Sequence, residues 1–135
     1  MLGEEQDEVV GNAVGDATKE ADDDENSIGN DHLTLFVDPQ TGFVSSLFIA
    51  AKNLTIPLRQ ELLYYLGEGG NNNGRASGAY VFRPRGTNTT QISTKPVNTI
   101  HKGALVEELN QQFSEWASQT IRIYKDSNHV EFEWV

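Results

Sequence analysis

Two glutamates near the end of the sequence are the first side chains whose spacing could do chemistry. Glu131 and Glu133 are separated by one residue, so in a strand they share a face. Hydrolysis of a glycosidic bond uses two carboxylates, but these flank the bond across a cleft, about 5–9.5 Å apart. Neighbours on one strand face cannot do this. We therefore predict that the pair forms a solvated face, and we assign no catalytic residue.

Three histidines are the next candidates, as metal ligands. His32, His101 and His129 lie far apart in the sequence, and none has a histidine or carboxylate at a recognisable ligand spacing. The acidic run at residues 22–25 lacks the alternating oxygen ligands and the glycine of a calcium loop. Cysteine is absent, which excludes thiolate sites and a cysteine nucleophile. We predict no metal site and no cofactor in this segment.

Two acceptor sequons for N-linked glycosylation begin at Asn53 and Asn88, both in predicted loops. We predict glycosylation at both asparagines, which favours a secretory route. The first residues show no signal peptide, and no apolar run approaches the ~18 residues of a membrane span, so we expect an upstream segment and no membrane partner.

Charge divides the chain into two parts. Eleven of the twenty acidic residues fall within residues 1–31, against a single base, Lys19. Such a segment cannot bury enough apolar surface to offset ordering, which costs roughly 1–2 kcal/mol per residue. We predict a disordered acidic leader over 1–31. Residues 32–135 are balanced in charge, and the absence of a basic excess argues against a nucleic-acid partner.

From residue 32 onward, alternation and turn residues predict an all-β protein. Proline and glycine in the turn 38–42 predict a hairpin between strands at 33–37 and 43–49. A second hairpin is predicted across the turn 125–129, with Val130, Phe132 and Trp134 on one face.

The middle of the chain is harder to interpret. The continuous apolar run 62–66 predicts a strand buried on both faces, with a short helix as the alternative. Residues 67–74 predict a flexible loop, and 77–83 a strand that ends at Pro84. Apolar residues at helical spacing over 104–116 predict an amphipathic helix.

Four segments in order resemble glycoside hydrolase family 38, in particular its lysosomal α-mannosidases. They begin with Ser-Gly-Ala-Tyr-Val-Phe-Arg-Pro at 77–84 and continue at residues 103–108, 113–119 and 131–134. The resemblance covers roughly residues 32–135. It implies an incomplete β-sandwich domain of the galactose mutarotase-like supersandwich type, and it changes the interpretation of 104–116 to a long strand with glutamate and glutamine along an exposed face.

The same resemblance implies a fragment of a longer enzyme that removes terminal α-mannose from N-linked oligosaccharides. The family's zinc ligands and aspartate nucleophile lie in another domain, so this segment is expected to be inactive alone. Its implied partners are the remainder of the mannosidase chain and a mannose-containing oligosaccharide, and its implied location is the lysosome or secretory pathway.

In this family the tyrosine matching Tyr80 is thought to reach the bound sugar, which implies a substrate-positioning role. The alternative for this residue is a buried tyrosine bonded to a nearby carbonyl. For the whole chain, the alternative is a free-standing carbohydrate- or protein-binding β-sandwich module without catalysis. Five aromatic residues could then stack on sugars: Tyr64, Tyr65, Tyr80, Trp116 and Trp134.

Overall fold

The computed structural model describes residues 25–70 and 76–135, and this part of the chain is all-β, as predicted. One antiparallel sheet has the order β1-β2-β3-β4. Its strands are β1 (Ser27–Gly29), β2 (Leu33–Val37), β3 (Val44–Ile49) and β4 (Leu54–Pro57), with a single 3₁₀ turn at Ala50–Lys52 between the last two.

A short ribbon and a second sheet follow. β5 (Leu63–Tyr64) pairs with β6 (Thr90–Gln91) in the two-stranded ribbon. The second sheet has the order β10-β9-β8-β7, so each strand pairs with its neighbour in sequence. Its strands are β7 (Val97–Lys102), β8 (Val106–Ser114), β9 (Ala117–Tyr124) and β10 (Glu131–Trp134).

The β2–β3 hairpin is confirmed, and its turn depends on glycine. Gly42 has φ of 77°, and its N–H donates to the Asp38 carbonyl over 2.7 Å. A Cβ at Gly42 would lie 2.9 Å from the Pro96 carbonyl oxygen, so a larger residue would collide as well as strain the backbone. The Gln40 N–H donates to the Asp38 carboxylate, which lowers the pKa of that group.

The region 104–116 is the strand that the resemblance implied, and the helix expected from periodicity is wrong. Leu109, Gln111 and Phe113 are buried at every second position of β8, whereas Leu105 and Trp116 are exposed. The predicted exposed face of glutamate and glutamine is also wrong at Gln111, which is buried. The predicted β9–β10 hairpin is confirmed, with Phe132 opposite Ile121.

The predicted boundary of the acidic leader is wrong for residues 27–31. Strand β1 lies inside that segment, pairs with β2, and buries Ile28 to 1% exposure. Pairing with β2 and burial of Ile28 in the core order these residues, although their local composition is polar. The rest of the predicted leader, residues 1–24, lies outside the described residues.

Two predicted strands in the middle of the chain are also corrected. The run 62–66 forms only the two-residue strand β5 and leaves Leu63, Tyr65 and Leu66 exposed, so it is not buried on both faces. Residues 77–83 form a loop, with one isolated bridge between Gly67 and Pro84. Within the predicted flexible loop 67–74, residues 71–74 lie outside the described residues.

The core lies between the two four-stranded sheets. Alternate residues of β2 and β3 meet alternate residues of β8 and β9, and the β1 strand contacts both β8 and β9. The buried cluster comprises Ile28, Leu33, Leu35, Val37, Val44, Leu109, Ile121 and Ile123. The inner face of each sheet is therefore largely apolar, and the outer face of the second sheet is largely polar.

Candidate functional site

Residues 76–84 form a loop held by its own hydrogen bonds, which we call the Tyr80 loop. The Ser77 hydroxyl donates to the Arg83 carbonyl over 2.7 Å and accepts from the Arg83 N–H at 2.9 Å. The Gly78 N–H donates to the Val81 carbonyl, which closes a tight turn around Tyr80. The Glu68 N–H donates to the Arg83 carbonyl and anchors the loop to the preceding segment.

Tyr80 stands at the tip of this loop with 100% of its side chain exposed. Val81 and Phe82 beside it are more than half exposed. The alternative of a buried tyrosine bonded to a carbonyl therefore does not describe this residue. An ordered turn that presents three apolar or aromatic side chains to solvent is suited to contact with another surface.

Both sequon asparagines lie outside the strands and are exposed, as their predicted loop positions require. Asn53 follows the 3₁₀ turn with φ of 46°, and its N–H donates to the Ala50 carbonyl. Asn88 lies in the polar segment before β6. Their glycosylation stays a prediction.

The structure brings together two of the three histidines. His32, before β2, and His129, in the β9–β10 turn, line the same open cleft of about 880 Å³. In the β9–β10 turn the Ser127 hydroxyl lies 2.9 Å from His129 Nδ1, and it also donates to the His129 carbonyl at 3.2 Å. His101 lies in β7, outside this cleft. Among residues 25–70 and 76–135, no group of three histidine or acidic side chains could hold a metal ion.

The outer face of the second sheet carries an ion-pair network that the sequence did not reveal. Arg122 on β9 contacts Glu108 Oε1 at 2.6 Å on one side. On its other side it contacts Glu133 Oε2 at 2.6 Å and Glu131 Oε1 at 3.2 Å. The hydrogen bonds that Arg122 donates to Glu133, then to Glu108 and Glu131, raise the pKa of Arg122 above its ordinary value. The sequence indicated this network only indirectly. In the second predicted hairpin, Arg122 lies on the same face as Glu131 and Glu133.

We expect replacement of Arg122 by methionine to lower the thermal midpoint, because the variant leaves Glu108, Glu131 and Glu133 in mutual repulsion without their shared cation. The loss should be smaller in about 1 M salt, which screens repulsion between partly exposed charges. Thermal unfolding followed by circular dichroism at low and high salt measures the difference. An equal loss at both would contradict the ion-pair account, and Arg59→Met, at an exposed pair, is the control.

The inner faces of both sheets continue past the core into solvent. On β4, Leu54 and Ile56 share the inner face with Leu47 and Ile49, yet both are exposed. On β10, Phe132 is 51% and Trp134 is 75% exposed. We call these side chains the apolar margins. Apolar side chains gathered at a sheet edge are typical of surfaces that contact other molecules.

The described residues thus define an all-β domain with two packed sheets, uncovered apolar margins and an exposed aromatic loop. No helix among them is long and apolar enough to cross a membrane. The model of the glycosyl hydrolases family 38 C-terminal domain matches residues 28–135. The chain belongs to this family.

Several α-mannosidases are similar to the chain. Lysosomal alpha-mannosidase of Bos taurus is 39% identical over 108 residues, and that of Homo sapiens is 36% identical over 109 residues. Alpha-mannosidase of Canavalia ensiformis is 34% identical over 110 residues. These matches cover 79–80% of this chain but 11% of each relative, so the chain spans about a tenth of the length of the relatives it matches.

Proposed function

We propose that the chain is the β-sandwich portion of a lysosomal-type α-mannosidase that hydrolyses terminal α-mannose from N-linked oligosaccharides. The observation that carries the proposal is the family match over residues 28–135, together with relatives named as α-mannosidases. The portion supports the catalytic domain. Its partners are the remainder of the mannosidase chain, which packs on the apolar margins, and the mannose-containing oligosaccharide.

Tyr80 is the residue through which this portion would touch substrate. Full exposure of its ring makes the hydroxyl available to a second domain. The two hydrogen bonds between Ser77 and Arg83 hold the loop in one conformation, which reduces the entropy lost when the ring enters a cleft. A phenol hydroxyl can both donate to and accept from sugar hydroxyls. Tyr80 would therefore position the mannosyl unit.

The zinc ion of the parent enzyme would lie in its catalytic domain, where it would orient sugar hydroxyls. The described residues of this chain do not fit a zinc site, since they hold no suitable cluster of ligands. We place the parent enzyme in the lysosome or secretory pathway, as for the relatives named lysosomal. Carbohydrate at the exposed Asn53 and Asn88 would be consistent with that route.

A graft tests this proposal. Residues 28–135 would replace the matching segment of the Bos taurus enzyme, with hydrolysis of 4-nitrophenyl α-mannoside as the assay. We expect an active graft, and no hydrolysis by the 135-residue chain alone with or without added zinc. Hydrolysis by the isolated chain would contradict the proposal. A graft that is secreted and folded but inactive would favour the alternative of a free-standing binding module.

Within the active graft, Tyr80→Phe is expected to lower kcat about tenfold, which corresponds to one hydrogen bond of about 1.4 kcal/mol. The thermal midpoint should not change, because the exposed hydroxyl has no partner within the described residues. Tyr65→Phe, at another exposed tyrosine, is the matched control and should keep full kcat. Equal kinetics of the two variants would remove Tyr80 from the substrate site.

A further inference from the structure

Strand β10 is the outer strand of the second sheet, and its free edge can be assigned residue by residue. The N–H groups of Ser118 and Val135 each donate to the other's carbonyl, at 3.0 and 2.9 Å. In an antiparallel pair such mutually bonded residues alternate with residues whose backbone groups point away from the partner strand. The backbone N–H and C=O groups of Phe132 and Trp134 therefore point to the free edge. No strand of the described residues lies on that side.

The two faces of this edge have opposite character. On the inner face, the side chains of Phe132 and Trp134 are exposed apolar surface. On the outer face, Glu131 and Glu133 share with Glu108 a single cation, Arg122. Three carboxylates against one guanidinium leave an excess of negative charge. An incoming strand thus meets free hydrogen-bonding groups, an apolar inner face and an acidic outer face.

We propose that the free edge of β10 binds an extended segment of the remaining mannosidase polypeptide in which basic and apolar residues alternate; this inference rests on the proposed function, which assigns Phe132 and Trp134 to that polypeptide. The backbone of the segment pairs with Phe132 and Trp134 and adds a fifth strand to the sheet. Its apolar side chains cover the two aromatic rings on the inner face. Its lysines or arginines lie opposite Glu131 and Glu133, at the closely spaced non-hydrogen-bonded positions where cross-strand charge pairs interact best.

A second copy of the chain fits this edge poorly. If two β10 strands paired antiparallel about a two-fold axis, residues of the same face would lie opposite one another. Glu131 and Glu133 would then face the same two glutamates of the other copy. Like charges directly opposite destabilise a strand pair. The charge on the outer face thus selects a basic strand over self-association.

The test uses the 135-residue chain and an eight-residue peptide that alternates arginine and valine, with blocked termini. Hydrogen exchange measured by NMR should show slowed amides at Phe132 and Trp134 when the peptide is added, and tryptophan fluorescence gives the affinity. A peptide alternating glutamate and valine should bind about tenfold more weakly, because two cross-strand charge pairs change from attraction to repulsion.

Two variants separate the contribution of backbone hydrogen bonds at the β10 edge from that of the charged side chains. Trp134→Pro should abolish binding, since proline removes the outward N–H yet is tolerated at a sheet edge. Glu131→Gln with Glu133→Gln should keep binding but lose the preference for arginine, whereas Glu115→Gln in the β8–β9 turn should change neither. Three results would each overturn the proposal. The peptide could slow amide exchange at β7 rather than β10, or both peptides could bind with equal affinity. The amides of β10 could also be slowed before any peptide is added, by dimerisation that depends on concentration.

Discussion

Replacement of Leu109 by alanine is expected to lower the free energy of unfolding by about 3 kcal/mol, among the largest effects of any single substitution in this chain. Leu109 has 0% exposure and lies at the centre of β8, between Ile100 on β7 and Ile121 on β9. The change removes three buried carbon atoms and leaves a cavity between two sheets that are each held by hydrogen bonds, so the site cannot collapse to fill it. Urea unfolding followed by circular dichroism measures the loss.

Leu105→Ala is the matched control for this substitution. The same atoms are deleted four residues earlier in the chain, but Leu105 is 75% exposed. The free energy of unfolding of this variant should fall by no more than about 0.5 kcal/mol, as for most surface positions. Similar losses at the two leucines would show that β8 is not buried as described, and the assignment of an inner and an outer face would fail with it.

The two hairpins at either end could be predicted from sequence because local rules decide them. Proline and glycine specify the turn between β2 and β3, and strict alternation specifies the faces of β10. Residues 104–116 differ because their leucine, valine and aromatic positions fit a helical stripe by chance. Long-range pairing with β7 and β9 outweighs that periodicity, and only the family resemblance could indicate it.

The errors in the middle of the chain have a common physical cause. The residues around Leu63 and Tyr80 are apolar, and sequence rules assume that apolar residues are buried within the same chain. Here they lie exposed, as expected if the surface that covers them belongs to other polypeptide. Periodicity could not distinguish a strand buried in its own core from a loop with exposed apolar side chains.

The candidate site was predictable only in part for a related reason. The sequons and the two glutamates are short motifs that can be recognised directly. Arg122 takes its role from partners on two other strands, and the cleft shared by His32 and His129 needs the topology of both sheets. These residues lie far apart in the sequence, so their contacts cannot be recognised until the strand order is known.

Gln111 gives the second large effect, because it joins both sheets through a buried side-chain amide. Its Nε2 donates to the Gly42 carbonyl over 2.9 Å, at the β2–β3 turn of the first sheet. Its Oε1 accepts from Gln60 Nε2 at 2.7 Å and from Gln119 Nε2 at 3.3 Å. The side chain is 1% exposed, so water cannot replace these partners.

We expect Gln111→Leu to lower the free energy of unfolding by about 2 kcal/mol, although leucine is nearly the same size and more apolar. The gain from apolar burial is outweighed because the Gln119 amide loses its acceptor in a buried position, and Gln60 loses its link across the sheets. Gln112→Leu, at the exposed next residue, should change stability by less than about 0.5 kcal/mol. If urea unfolding instead shows that Gln111→Leu is neutral or stabilising, the amide does not hold the sheets together, and apolar packing alone accounts for their association.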